Sequence, residues 1–277
     1  MNDEWRSPDP DTELGAAMEV ALAAADAADA IALASFRQAI DIEQKPDASF
    51  VTEADRAAER AIRSRITERF PDHGLVGEEY GEETSESGRR WIIDPIDGTH
   101  NYMRGVPVFA TLLALEVDGE LVVGVVSAPA LARRWFAWKG GGAWAADVGP
   151  GGWDRSSARR ISVSTIDRLD ATSIVYSSVP SVAHSGLAPG FLLLLHDVWR
   201  DRGLGDFYGY MLVAEGAADV MVESELKLWD LAGPRAVFAE AGGRMTDLSG
   251  GDDMPEGGVL ATNGLLHETI LARLHKR

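Results

Sequence analysis

Residues 91–99, Trp-Ile-Ile-Asp-Pro-Ile-Asp-Gly-Thr, bring two carboxylates three positions apart to the end of an apolar run. Such a run belongs in a core. Burying two like charges side by side is costly unless a cation lies between them or one takes up a proton. Pro95 lacks a backbone donor and fixes φ, so the strand is expected to stop at Asp94 and turn. Gly98 permits close backbone approach, and its N–H and that of Thr99 can face an anion. Hard divalent cations answer the demand of the paired acids. Mg²⁺ takes carboxylate and carbonyl oxygens and keeps several waters.

Three other segments also place an acid where an element begins or ends. Glu78 and Glu79 follow the apolar Leu75-Val76-Gly77. Asp55 falls on the first turn of a helix after Val51-Thr52, and Asp230 opens a helix behind Trp229. Each has a plain structural reading: Asp55 as a helix cap, Asp230 as an acid favoured by the helix dipole, Glu79 as a solvated side chain. With no cysteine among 277 residues, thiolate metal sites, disulfides and cysteine catalysis are all excluded. A metal site here has to be built from oxygen.

Charge narrows the partners. Lys and Arg total 26 against 44 Asp and Glu, a net −18. A chain this acidic is a poor binder of nucleic acid or of an anionic membrane. A phosphorylated substrate would have to be drawn in by bound metal rather than by bulk charge. The first residues, Met-Asn-Asp-Glu-Trp-Arg, lack the basic and apolar regions of a signal peptide. The oily stretches fall short of the ~18 to 20 residues of a membrane span. A cytoplasmic location is the expectation.

The patterning predicts alternating helices and strands. An Ala-rich helix is expected from Thr12 to about Gln38, and a second, with a Thr52–Asp55 capping box, to Phe70. Short strands are expected over Gly74–Gly77 and up to Asp94. An Asp118–Gly119 turn should join two strands, and another pair should flank the glycines at 140–142. Residues 147–158, polar and rich in glycine, read as a loop and the boundary between two lobes. Beyond it come a strand near 171–178, a helix over 191–203, a helix near 208–218, a strand near 219–223, and a helix from Trp229 to Gly242–Gly243. The order argues for a layered α/β protein.

Gly77-Glu78-Glu79, the Trp91–Asn101 segment and Trp229-Asp-Leu-Ala-Gly with Glu240-Ala-Gly-Gly resemble the inositol monophosphatase superfamily of Mg²⁺-dependent phosphatases, as does the Lys45–Asp55 segment upstream. The resemblance covers roughly residues 14–270. It implies an αβαβα five-layered sandwich of the inositol monophosphatase and fructose-bisphosphatase type, assembled as a homodimer. The implied metal ligands are Glu78, Asp94, the carbonyl of Ile96, Asp97 and Asp230, holding two or three Mg²⁺, with Mn²⁺ as an alternative. Asp55 falls where the superfamily places a further acid near the metals. Thr99 matches the threonine that, with Glu78, orients the attacking water, and Gly98 and Thr99 match the phosphate-binding amides. On this reading a lobe of residues 12–150 carries most metal ligands. A lobe of 151–277 carries Asp230 and the substrate-contacting acids, and the two form one catalytic unit.

Within that superfamily, Lys45–Glu59, Gly105–Trp135, Gly205–Val220 and Ala261–His267 look like the histidinol-phosphate phosphatase branch. This implies hydrolysis of a small phosphomonoester, L-histidinol phosphate, in histidine biosynthesis. Asp206, and Glu223 seven residues before Asp230, would face the substrate's organic part. Two acids there favour an ammonium by roughly 1 to 3 kcal/mol over neutral inositol, by analogy with hydrogen bonds to charged groups. Asp206 also has a plain reading as a helix cap. Inositol 1-phosphate is the rival substrate for the same machinery. His100, Asn101, Arg104, Lys139, His184 and His196 read as rim, loop or surface residues, and Trp135, Phe136 and Trp138 as strand residues.

Overall fold

The structure, a computed structural model, describes residues 5, 8–38, 42–44, 50–149, 151–252 and 257–276. Residues 45–49, the first part of the motif that ends at Asp55, lie outside them. The chain forms two compact units: Met1–Arg160 with Ala232–Val237, and Ile161–Leu231 with Phe238–Arg277.

The first unit opens with helix α1 (Glu13–Ser35), capped by Thr12, whose hydroxyl accepts from Gly15 N at 3.1 Å. Strands β1 (Ile42–Gln44) and β2 (Phe50–Thr52) pair antiparallel, a contact the sequence did not announce. Helix α2 (Glu53–Arg69) begins with the expected box: Asp55 Oδ2 accepts from Thr52 N at 2.8 Å and from Thr52 Oγ1 at 2.5 Å. Then come β3 (Gly74–Gly77), β4 (Gly81–Glu83), β5 (Arg89–Asp97), the short helix α3 (Thr99–Met103), β6 (Ala110–Val117) and β7 (Glu120–Ala128). The last strands are β8 (Arg133–Trp138), β9 (Gly142–Gly149), β10 (Gly152–Trp153) and β11 (Arg159–Ile161).

These strands form one sheet in the order β10-β9-β8-β7-β6-β5-β3-β4, with β11 on β9. β3 runs parallel to β5, and β5 to β9 form an antiparallel meander. Asp118 and Gly119 both take positive φ, 50° and 85°, as a tight primed hairpin turn requires. The segment 147–158 is not a plain loop; it holds the end of β9, β10 and a 3₁₀ turn at Arg155–Ser157.

One face of this sheet packs on α1 and α2 through Leu113, Leu115, Val123 and Val125. Ala17, Ala21, Ala24, Ala25 and Ala28 of α1 are fully buried, and their small side chains let the helix lie close. Gly124, between Val123 and Val125, faces the other way. There a Cβ would stand 2.6 Å from Ala236 Cβ, and a Cβ on Gly233 would stand 3.2 Å from the Leu113 and Val125 carbonyl oxygens. Segment 232–237 therefore covers the opposite face at backbone distance.

The second unit holds β12 (Ser173–Tyr176), α4 (Val179–His184), α5 (Ala188–Asp197), β13 (Arg200–Gly203), α6 (Asp206–Ala214) and β14 (Val220–Leu226). The ends of α7 (Leu228–Glu240), whose residues 232–237 belong to the first unit, β15 (Arg244–Asp247), β16 (Gly257–Thr262) and α8 (His267–Leu274) complete it. The strand order is β13-β12-β14-β16-β15. The helix expected over 191–203 ends at Asp197, and Arg200–Gly203 instead pairs in parallel with β12. Val220, Val222 and Leu260 pack with Phe191, Leu194 and Ile270 from α5 and α8. Met221 points to the other face, where a Cβ on Gly209 of α6 would stand 2.4 Å from its sulfur. Each unit is thus a sheet covered by helices on both faces, the layered α/β class expected. Among the described residues no helix is long and apolar enough to cross a membrane.

Candidate metal centre

The strand that was expected to stop at Asp94 continues as β5 to Asp97. Pro95 is accommodated by a bulge: Asp94 pairs with Leu112 and Asp97 with Ala110, so three steps on β5 match two on β6. In a regular strand, residues an odd number apart point to opposite faces. The extra residue reverses that parity and turns both carboxylates to one side. Asp94 and Asp97 each offer an oxygen within 4.8 Å of the other. Asp94 is buried, and its Oδ1 accepts from Ile96 N at 3.0 Å. Thr111 Oγ1 donates to the Pro95 carbonyl at 2.9 Å and pins the bulge.

Gly98 follows with φ 80° and opens α3; a Cβ there would approach the Val108 carbonyl oxygen to 2.9 Å. Thr99 Oγ1 donates to the Ile96 carbonyl at 3.0 Å. The expected carbonyl ligand and the expected water-orienting hydroxyl are therefore in direct contact.

The parallel β3–β5 register brings in Glu78. Gly77 pairs with Ile93, and Glu78 N donates to the Ile93 carbonyl at 3.3 Å, so the backbone of Glu78 lies alongside Asp94 at the strands' shared C-terminal end. Asp55, on the buried side of α2, has its carboxyl pushed up to about 6, first by burial, against the Thr52 hydrogen bonds and aided by nearby Glu79. Its Oδ1 is buried and meets no hydrogen-bond partner.

In the second unit, Asp230 is half-buried in the first turn of α7, where its Oδ2 accepts from Lys227 N at 2.7 Å. Asp206 is not the N-cap of α6; Gly205 is, and Asp206 follows at φ 55°, a conformation uncommon for a non-glycine residue. Asp206 N donates to Glu223 Oε1 at 3.1 Å. Glu223 is buried, and its carboxyl is pushed up to about 8, first by desolvation and then by the Asp206 charge. The Tyr210 hydroxyl close by lowers it in part, but without the geometry of a full hydrogen bond to Oε2. Ser177, which the sequence reading passed over, belongs beside these acids. Its buried hydroxyl is also without a partner, and a Cβ on Gly205 would meet both Ser177 Cβ (2.8 Å) and Glu223 Oε1 (3.3 Å). The available signal was its place just beyond the C-terminal end of β12, where ligands of open α/β sheets collect.

The remaining candidates take structural places. Trp135 and Phe136 are buried in the first unit, and Trp138 is partly buried against its core. Lys139 is exposed and pairs with Glu120; His184 and His196 are exposed beside Glu225 and Asp197. His100 is exposed at the edge of Phe50, ring centroids 5.4 Å apart, and Arg104 is exposed as well.

The donors fit a hard divalent cation. Every side-chain donor is a carboxylate, and the buried Asp55 Oδ1 and Glu223 Oε2 are oxygens left for a ligand or proton to satisfy. Paired acids at a strand end of a layered α/β protein suit metal-assisted phosphoester chemistry, and a solved structure carries the same fold. The extragenic suppressor protein suhB from Bartonella henselae superposes with a TM-score of 0.84 at 29% identity, covering 94% of this chain and 99% of that one. The chain belongs to the inositol monophosphatase family, whose sequence pattern matches residues 13–277. It is 47% identical over 258 residues to a Mycobacterium tuberculosis protein named histidinol-phosphatase, covering 92% of this chain and 96% of the relative. A Streptomyces coelicolor protein of the same name is 46% identical over 259 residues, covering 91% and 94%.

Proposed function

We propose that the protein is a Mg²⁺-dependent phosphoric monoester hydrolase that converts L-histidinol phosphate and water to L-histidinol and phosphate. The observation that carries the hydrolase reading is the β5 bulge, which turns Asp94 and Asp97 to one side. The substrate reading rests on the relatives named histidinol-phosphatase and on the Asp206–Glu223 pair.

In this reading Glu78, Asp94, Asp97, Asp230 and the Ile96 carbonyl hold two or three divalent ions. When bound, the ions supply an acidified water and neutralise charge on the phosphate and the departing oxygen. Glu78 accepts one hydrogen bond from the attacking water. Thr99 gives its own hydroxyl hydrogen to Ile96 O, so its lone pairs accept the water's other hydrogen. The Gly98 and Thr99 amides donate to phosphate oxygens. Asp55 keeps a carboxyl near the ions. Asp206 and Glu223 receive the substrate ammonium, and its arrival favours loss of the Glu223 proton. The reading includes a homodimer, to be checked by light scattering against the chain mass of 29.8 kDa, and a cytoplasmic site of biosynthesis.

Phosphate release from histidinol phosphate and inositol 1-phosphate, with Mg²⁺ and with EDTA, tests the proposal. Histidinol phosphate should give the higher kcat/KM, and EDTA should abolish both rates. A higher kcat/KM for inositol 1-phosphate would replace the substrate; undiminished rates in EDTA would remove the metal.

A further inference from the structure

Glu59, one turn after Asp55 on α2, is fully buried and has no role in the site described above. Its carboxylate is nonetheless saturated. Oε2 accepts from Glu79 N at 2.8 Å, and Oε1 accepts from Tyr80 N at 3.3 Å and Arg63 Nε at 2.8 Å. Arg63 reaches further along the same hairpin: Nη2 donates to the Gly81 carbonyl at 2.6 Å and Nη1 to Glu83 Oε1 at 2.8 Å. The turn between β3 and β4 is thus hung from one carboxylate of α2. Gly77 leaves the room for it, since a Cβ there would stand 1.9 Å from Glu59 Oε1 and 3.0 Å from Arg63 Nη2.

A buried ion pair is weak as a device for stability alone, because an apolar pair of similar volume often does as well. What it adds here is direction. Glu78 is the residue between the two anchored points. On its N-terminal side β3 is laddered to β5, and on its C-terminal side the Glu79 and Tyr80 amides end on Glu59. With the backbone fixed on both sides, the Glu78 side chain leaves it beside Asp94 in a set direction, which limits where its carboxylate can reach. Outer partners of this kind commonly shift metal affinity or activity by 10- to 100-fold when removed.

We propose that Glu59 is a positioning residue: through the Glu79 and Tyr80 amides, and itself held by Arg63, it aims Glu78 at the divalent cation and the attacking water. This rests on the reading of Glu78 given above. Glu59→Gln keeps the shape and one acceptor; Gly77→Ala disturbs the same contact from the opposite side. Both are compared with Glu78→Gln by three measurements. These are amide hydrogen exchange at Glu79 and Tyr80, Mn²⁺ affinity of the substrate-free protein by electron paramagnetic resonance, and steady-state kinetics at saturating Mg²⁺.

In both variants the two amides should exchange faster, Mn²⁺ binding should weaken about tenfold and kcat should fall by a similar factor, while KM moves less than about twofold. In the Glu78→Gln background, Glu59→Gln should add no further loss of Mn²⁺ affinity. A Glu59→Gln or Gly77→Ala protein that melts lower yet binds Mn²⁺ and turns over like the parent would reduce Glu59 to a structural residue and overturn the proposal. Glu78→Gln with parental Mn²⁺ binding and turnover would instead overturn the assignment of Glu78 itself.

Discussion

Glu223→Gln should stabilise the protein while harming it as an enzyme. The Glu223 carboxyl is 4% exposed and titrates at about 8 instead of the ordinary 4.5. Between those values the folded state holds a proton that the unfolded state releases. Folding stability contributed by this group therefore falls as pH rises from 4.5 towards 8 and is constant outside that window. At pH 7, about 2.5 pH units above 4.5, the penalty at about 1.4 kcal/mol per pH unit is roughly 3.5 kcal/mol. Glutamine carries no charge and escapes it, but it places an NH₂ where Oε2 has no partner, which returns about 1 kcal/mol. The net gain of about 2.5 kcal/mol corresponds to a Tm rise of roughly 5 to 10 °C for a chain of this size. Melting curves of both proteins in EDTA, from pH 4 to 8.5, are the assay. The variant should melt slightly below the parent near pH 4, cross it as pH rises and stand above it at pH 7, and KM of the variant for histidinol phosphate should rise. A difference in Tm that does not change with pH, or a variant less stable than the parent at pH 8, would refute the assignment of the proton.

Asp97→Asn should abolish phosphate release at any Mg²⁺ concentration and leave the far-ultraviolet circular dichroism unchanged, because it removes a cation ligand rather than packing. Asp206→Gly keeps the N–H that Glu223 accepts and relieves the positive φ, so it should fold at least as well as the parent. Its KM for histidinol phosphate should rise more than that for inositol 1-phosphate; equal changes would leave Asp206 a backbone residue only. Gly124→Ala forces a methyl to 2.6 Å from Ala236 Cβ and should lower stability by about 1 to 3 kcal/mol in urea unfolding.

The sequence was most informative where local rules govern. The capping box of α2, the Asp118–Gly119 turn and the cap of α1 are each set by a few adjacent residues, and all were readable. β13 was not. Residues 200–203 follow an apolar helical run, and only pairing with β12, 27 positions earlier, makes them a strand. The bulge at Pro95 was misread for a related reason. A proline without an N–H stops a ladder in isolation, but β6 on the other side, with Thr111 bonded to the Pro95 carbonyl, carries the strand past it. The acids themselves were visible as residue types. Their orientation depended on parity along β5 and on the parallel β3–β5 register, and neither is written in the spacing of the letters.

Buried acids in this chain divide by how completely they are satisfied, and the division separates scaffold from site. Asp219 accepts from Ser164 Oγ and from Ser173 N, one bond on each oxygen. Glu59 accepts three bonds across its two oxygens. Asp29 leaves Oδ1 without a partner, but the buried Arg134 guanidinium at 2.8 Å from its Oδ2 answers the charge. Asp55 and Glu223 differ from all three. Each has one oxygen committed to a backbone amide, of Thr52 or Asp206, and the other buried without a well-formed hydrogen bond, although the Tyr210 hydroxyl is near enough to ease Glu223 in part. The side-chain charges that help raise the two carboxyls, Glu79 for Asp55 and Asp206 with Asp230 for Glu223, are themselves acidic. A fold gains nothing by leaving such oxygens unmet, since a saturated or apolar residue would be cheaper in free energy. Their retention is accounted for if each unmet oxygen faces a positive group that arrives with function: a divalent cation near Asp55, an ammonium at Glu223.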